Sequence, residues 1–287
     1  MKQHQTISLH VKQHVLGKFL GSYRSLFRGK GIDYDEIRKF VPGDDIKAIV
    51  WAKLAQMGEV YVKTFLEERD LTVLICLDTS SSIFWSRIAK SQLALETAAT
   101  LIFSSAISRD RTGLALFNNG LTRFLPPRKG LQHAGQLIEE LQAISSEHKD
   151  TSLKKSFFDI KARRGPKRAV IFVISDFISE EEWHPSLLSL SKHNDLILLS
   201  IQDDWEASPP DVGRVYAADA EKGSLYLLNC NHQFSLEIQR TLQMKQRALQ
   251  QFTTAHNIGY LPLQEGSDPI QKMRIFFRER QQRLQRR

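Results

Sequence analysis

Four nearly continuous apolar runs constrain what this chain can fold into. They are LTVLICL at 71–77, TGLALF at 112–117, AVIFVI at 169–174 and LILLSI at 196–201. A strand covered on one face alternates apolar with polar residues, whereas one covered on both faces has no reason to. Continuous runs of this length therefore read as buried parallel strands. Between them lie segments of helical spacing. Segment 87–108 places Ile88, Leu93, Leu95, Ala98, Leu101, Ile102 and Ile107 on one side, and 132–144 and 152–162 are shorter amphipathic stretches. Segment 180–192 opens with three acids after Ser179, which predicts an N-cap followed by charges suited to the helix dipole. Alternation of strand and helix implies an α/β fold, a doubly wound, mostly parallel sheet flanked by helices.

The regions outside this alternation suggest three parts: an N-terminal extension or subdomain (1–70) packing on the sheet domain, the sheet domain itself (71–265) and a basic C-terminal helix or tail (266–287). The first part is punctuated by Gly17, Gly21, Gly29, Gly31, Pro42 and Gly43. Tyr61, Val62, Phe65 and Trp51 are its expected apolar anchors. Its charges at Asp33, Asp35, Glu36, Arg38, Lys39, Asp44, Asp45 and Lys47 read as intramolecular pairs and solvated faces. After Gln202, the turn-rich DDWEASPPDVG precedes a short hairpin (214–217 with 224–228), a helix over 234–252 and a strand near 260–263. Asp268-Pro269 then supplies an N-cap and first helical residue for a closing helix.

The chemistry concentrates after the first strand, in Asp78-Thr79-Ser80-Ser81-Ser82. Ligands of open α/β sheets bind outside the carboxyl ends of the strands. A carboxylate with hydroxyls two and four residues on can curl around one cation. Asp176, directly after the third strand, and Thr151, before the helix that starts near Ser152, supply further oxygens. Asp78, Ser80, Ser82, Thr151 and Asp176 thus form a candidate hard-oxygen site for Mg²⁺, or for another divalent ion such as Mn²⁺ or Ca²⁺. Two carboxylates and three hydroxyls do not saturate such an ion. The open position invites an acidic side chain from outside, so the expected chemistry is capture and not turnover.

This DxSxS pattern, with a later Thr and a later strand-ending Asp, resembles the metal-ion-dependent adhesion site of von Willebrand factor A domains. Residues 31–82, GIDYDEIRKFVPGDDIKAIVWAKLAQMGEVYVKTFLEERDLTVLICLDTSSS, resemble the hallmark segment of the bacterial family known as domain of unknown function 58, and a weaker likeness runs on through Ile201. By that resemblance Asp78, Ser80, Ser82, Thr151 and Asp176 occupy the adhesion-site positions. Thr151 departs from the pattern in standing in EHKDTS and not in a glycine-rich turn. The resemblance also implies a MoxR-type AAA+ ATPase as partner and a role in protein assembly or chaperoning of an unknown client.

Other functions fare less well. A phosphohydrolase using Asp78 as nucleophile is the alternative, but the haloacid-dehalogenase pattern needs a second Asp where Ser80 stands. No P-loop, GxSxG or HExxH occurs, so the chain is not expected to be an enzyme. The net charge of +8 sits at the ends. Residues 1–30 hold six Lys or Arg and no acid, and 274–287 hold six Arg and one Glu, which leaves a mildly acidic body. Nucleic-acid binding is therefore not the favoured reading, and peripheral contact of the tail (Ile275, Phe276, Phe277) with an anionic membrane is a secondary expectation. No run reaches the ~18–20 apolar residues of a membrane span, and the basic N-terminal stretch lacks the apolar core of a secretion signal. Cys76 and Cys230 stand far apart in apolar surroundings, which favours free thiols in a reducing, cytoplasmic setting.

Overall fold

The computed structural model describes Tyr23, 36–44, 46, 49, 51, 54, 59–64, 71–84, 88–144, 151–165, 168–179, 181–203, 213–218 and 225–285. The basic stretch 1–30 apart from Tyr23, the charges at Asp33, Asp35, Asp45 and Lys47, the side chains of Glu36 and Arg38, Phe65 and the turn 204–212 lie outside the described residues.

Two short strands, β1 (Glu36–Lys39) and β2 (Tyr61–Thr64), pair antiparallel. The main sheet begins with β3 (Thr72–Asp78). There follow a single-turn helix α1 (Ser81–Phe84), the long helix α2 (Ile88–Ile107), β4 (Arg111–Asn118), β5 (Gly120–Arg128), α3 (Leu131–Gln142) and α4 (Leu153–Arg164). Then come β6 (Val170–Ser175), α5 (His184–Ser191) and β7 (Asp195–Gln202). The hairpin β8 (Gly213–Ala218) and β9 (Leu225–Cys230) precedes α6 (His232–Ala255), β10 (Gly259–Gln264) and α7 (Pro269–Gln285). The six-stranded sheet runs β10-β7-β6-β3-β4-β5. All its pairings are parallel except β4 with β5.

Both faces are covered, which is why the strands read as unbroken apolar runs. On one face Ile75, Leu77, Leu116, Phe172, Ile174 and Leu199 meet buried residues of α2, α3 and α7, including Leu101, Leu137 and Phe277. On the other, Leu74, Cys76, Phe117, Ile171 and Val173 pack on Phe157 of α4 and Leu187 of α5. Helix α2 carries buried Thr97, Thr100 and Ser104. Each hydroxyl donates to the carbonyl four residues back, at 2.7, 2.7 and 2.6 Å, so burial leaves none of them unsatisfied.

Strand β5 is not apparent from periodicity. It is a half-exposed edge strand ending in Pro126-Pro127, residues that cannot donate to a ladder and belong at an edge. Gly120, at φ 112°, turns the chain back from β4. The helix expected over 180–192 is shorter. Helix α5 begins at His184 with no side-chain cap, and Glu181 and Glu182 precede it. The Ser179 hydroxyl instead accepts a hydrogen bond from the Glu181 N–H in a local turn. Trp51 is 63% exposed and anchors no core, whereas Val62 is 2% exposed. The N-cap of the closing helix is as expected: Asp268 Oδ1 accepts the N–H groups of Ile270 and Gln271 at 2.9 and 3.2 Å. Tyr23 is buried edge-on to Phe277 and donates to Asp110 Oδ2 at 3.2 Å. Both cysteines are free and buried. No helix of the described residues is long and apolar enough to cross a membrane.

Candidate metal centre

β3 lies inside the sheet between β6 and β4, so the turn leaving it is flanked by the turns leaving its neighbours. Asp78 is the last residue of β3 and is fully buried. Its Oδ1 accepts the Ser80 N–H at 2.9 Å, which folds the chain back over the carboxylate. That curl brings the Ser80 and Ser82 hydroxyls to 3.0 Å from one another. From β6, the Ser175 hydroxyl donates to Asp78 Oδ2 at 2.7 Å.

Thr151 arrives from the β4 side. The Phe117 carbonyl accepts both the N–H and the hydroxyl of Thr79. One residue on, the Asn118 carbonyl accepts the Ser152 N–H at 3.0 Å. Thr151 therefore stands at the same end of the sheet as the Asp78 turn. Its Oγ1 is buried and has no hydrogen-bond partner among the described residues. Buried hydroxyls are rarely left so.

Asp176, the fifth residue of the set, is engaged elsewhere. Its Oδ2 receives the Lys90 ammonium at 3.0 Å, the two side chains being 2% and 1% exposed. Its Oδ1 accepts the Ile178 N–H. It still acts on Asp78, whose carboxyl is pushed up to about 7, first by burial and then by the Asp176 charge. Hydrogen bonds from Ser175 and Ser80 oppose that rise.

Among the described residues no three of His, Cys, Asp and Glu share one point, so a cation here would rest on hydroxyls as much as on carboxylates. The donors suit a hard divalent ion in kind: the Asp78 carboxylate, the paired serine hydroxyls, and at the same end of the sheet a Thr151 oxygen with no partner among the described residues. Asp176 fits only through its ion pair. Ser175 and Lys90 are the residues that sequence reasoning passed over. Lys90 had a visible signal: it stands one helical turn before Leu93 and Ala94, on the face that α2 buries. Glu181 was also missed. Its carboxylate receives the Ser152 hydroxyl at 2.7 Å, next to Thr151.

A family profile described as protein of unknown function DUF58 matches residues 36–248. Uncharacterized proteins of Mycobacterium bovis and Mycobacterium tuberculosis are each 27% identical over 225 residues, covering 76% of this chain and 70% of theirs. Among solved structures, an aerotolerance-related membrane protein from Bacteroides fragilis aligns at 16% identity and a TM-score of 0.46, covering 74% of this chain and 99% of that one. A conserved hypothetical protein, BatB, from Bacteroides thetaiotaomicron aligns at 15% identity, TM-score 0.47 and the same coverage.

Proposed function

The chain belongs to the family of proteins of unknown function DUF58, and from that premise we propose that it is a non-enzymatic adaptor. It holds a divalent cation, Mg²⁺ being the first choice, at the carboxyl end of its sheet and captures an acidic side chain of a partner protein. The resemblance of residues 31–82 to the hallmark segment of this family suggests a MoxR-type AAA+ ATPase as co-worker in protein assembly or chaperoning, in the cytoplasm.

One observation carries the reading: at the end of the sheet where a buried carboxylate and serine hydroxyls 3.0 Å apart converge, a buried threonine oxygen has no hydrogen-bond partner among the described residues. A hard cation would satisfy that oxygen. Asp78, Ser80, Ser82 and Thr151 would hold the ion directly. When bound, it supplies an electrophilic position that an incoming carboxylate can fill. The protein's own groups orient it: Ser175 fixes the plane of the Asp78 carboxylate, and the Ser80 N–H fixes the turn.

The test is affinity capture from the native host by wild type and Asp78→Ala, with Mg²⁺ or with EDTA. The expected result is capture of an AAA+ ATPase by wild type in Mg²⁺, at least tenfold reduced by EDTA and by Asp78→Ala, with thermal melting of the variant intact. Capture unchanged by chelator and substitution would overturn the proposal.

A further inference from the structure

Lys90 is a fully buried cation lodged against one of the five candidate ligands. A side chain of this type is almost never fully buried without a partner, and here the partner is Asp176, whose side chain is 2% exposed. The helix that delivers it runs under the sheet, and its neighbours Leu93 and Ala94 are buried. The ammonium is therefore shielded from water and is held at the Asp176 carboxylate, where a metal ion would otherwise sit.

We propose that Lys90 is a built-in counter-cation that withholds Asp176 from direct metal coordination. This rests on the metal-binding reading above and deepens it. The Lys90–Asp176 pair is a neutral unit, so the ion is held by Asp78 and hydroxyls alone. Without an ion the site carries a single negative charge in place of two. With a divalent ion it carries a single positive charge, buried at the carboxyl end of the sheet and short of a ligand. Such a site holds the ion weakly by itself and more strongly once an external carboxylate arrives. Lys90 thus couples ion retention to capture of an acidic partner, and it acts as a positioning residue that need not touch the ion.

The experiment is Mn²⁺ binding, followed by loss of the free-ion EPR signal, to full-length wild type, Lys90→Met, the double variant Lys90→Met/Asp176→Asn, and Asp78→Ala. Lys90→Met exposes the second carboxylate to the ion and should bind Mn²⁺ at least tenfold more tightly than wild type. The double variant restores the single negative charge and should return to within about threefold of wild type. Where Lys90→Met fails to fold, the double variant decides, because it removes both charges together. A tenfold or greater loss in the double variant would make Asp176 a direct ligand and overturn the inference while leaving the metal reading intact. Equal or weaker binding by folded Lys90→Met overturns it likewise. No Mn²⁺ binding that Asp78→Ala abolishes, in any variant, would bring down the metal reading and this inference with it.

Discussion

Across 97 positions of sequence, the Ser175 hydroxyl donates a 2.7 Å hydrogen bond to Oδ2 of Asp78. It ties the ends of two adjacent parallel strands and aims the buried carboxylate. Ser175→Ala leaves that oxygen without its neighbouring donor. A charged acceptor that loses a hydrogen bond costs about 1.5–3 kcal/mol. The variant should therefore bind Mn²⁺ about tenfold more weakly in titration calorimetry, with its far-UV spectrum unchanged. Unchanged affinity would remove Ser175 from the account of the site.

The raised Asp78 carboxyl makes a signed prediction. With the folded value near 7 and the ordinary value 3.8, the native state holds more protons than the unfolded state between those limits. In metal-free buffer, stability should therefore fall as pH rises through that window. The contribution of this one group is of the order of 4 kcal/mol at full ionisation. Asp78→Asn cannot ionise and should flatten that part of the profile. Urea unfolding from pH 4.5 to 8 checks this. Identical slopes for wild type and variant would show that Asp78 does not titrate in that range.

Two glycines should respond oppositely to the same substitution. A Cβ on Gly113, in β4, would stand 2.9 Å from the Leu125 carbonyl oxygen and from the Pro127 ring. Backbone and proline cannot swing away, so Gly113→Ala should destabilise by about 1–3 kcal/mol. Gly135, within α3, has no atom within 4 Å of its notional Cβ. Gly135→Ala should stabilise by about 0.5–1 kcal/mol through helix propensity. Thermal melts of both variants test the pair, and a shared sign would contradict it.

Cys76 sits in β3, one of the two central strands of the sheet, with its thiol pushed up by burial. It should resist maleimide for hours in the native state and label promptly in denaturant. Mass spectrometry of the labelled peptide reads the outcome, and fast native labelling would mean that the sheet opens locally.

The fold was most legible where residues had a single physical role. The four apolar runs became β3, β4, β6 and β7 because double burial erases alternation. The last parallel strand and the closing helix were legible from Tyr260 and Asp268-Pro269. β5 was hidden because an edge strand with two prolines resembles a loop. The acids before His184 misled because charges that suit a helix start also suit a turn that hands Glu181 to Ser152. In the candidate site, Asp78, Ser80 and Ser82 were readable since one local curl places them. The Asp176–Lys90 pair was not, because it joins residues 86 apart through burial of a lysine, which periodicity hints at but cannot assign a partner.

The Tyr23–Phe277 contact links the first described residue to the closing helix, over Phe172 of the sheet. Two segments more than 250 positions apart in the sequence therefore meet like a clasp on one patch of core. Loosening either one withdraws aromatic cover from the other, so proteolytic trimming past Tyr23 should be felt at the helix that carries the arginines. Loss of order at Tyr23 and in the closing helix should therefore occur together and not independently.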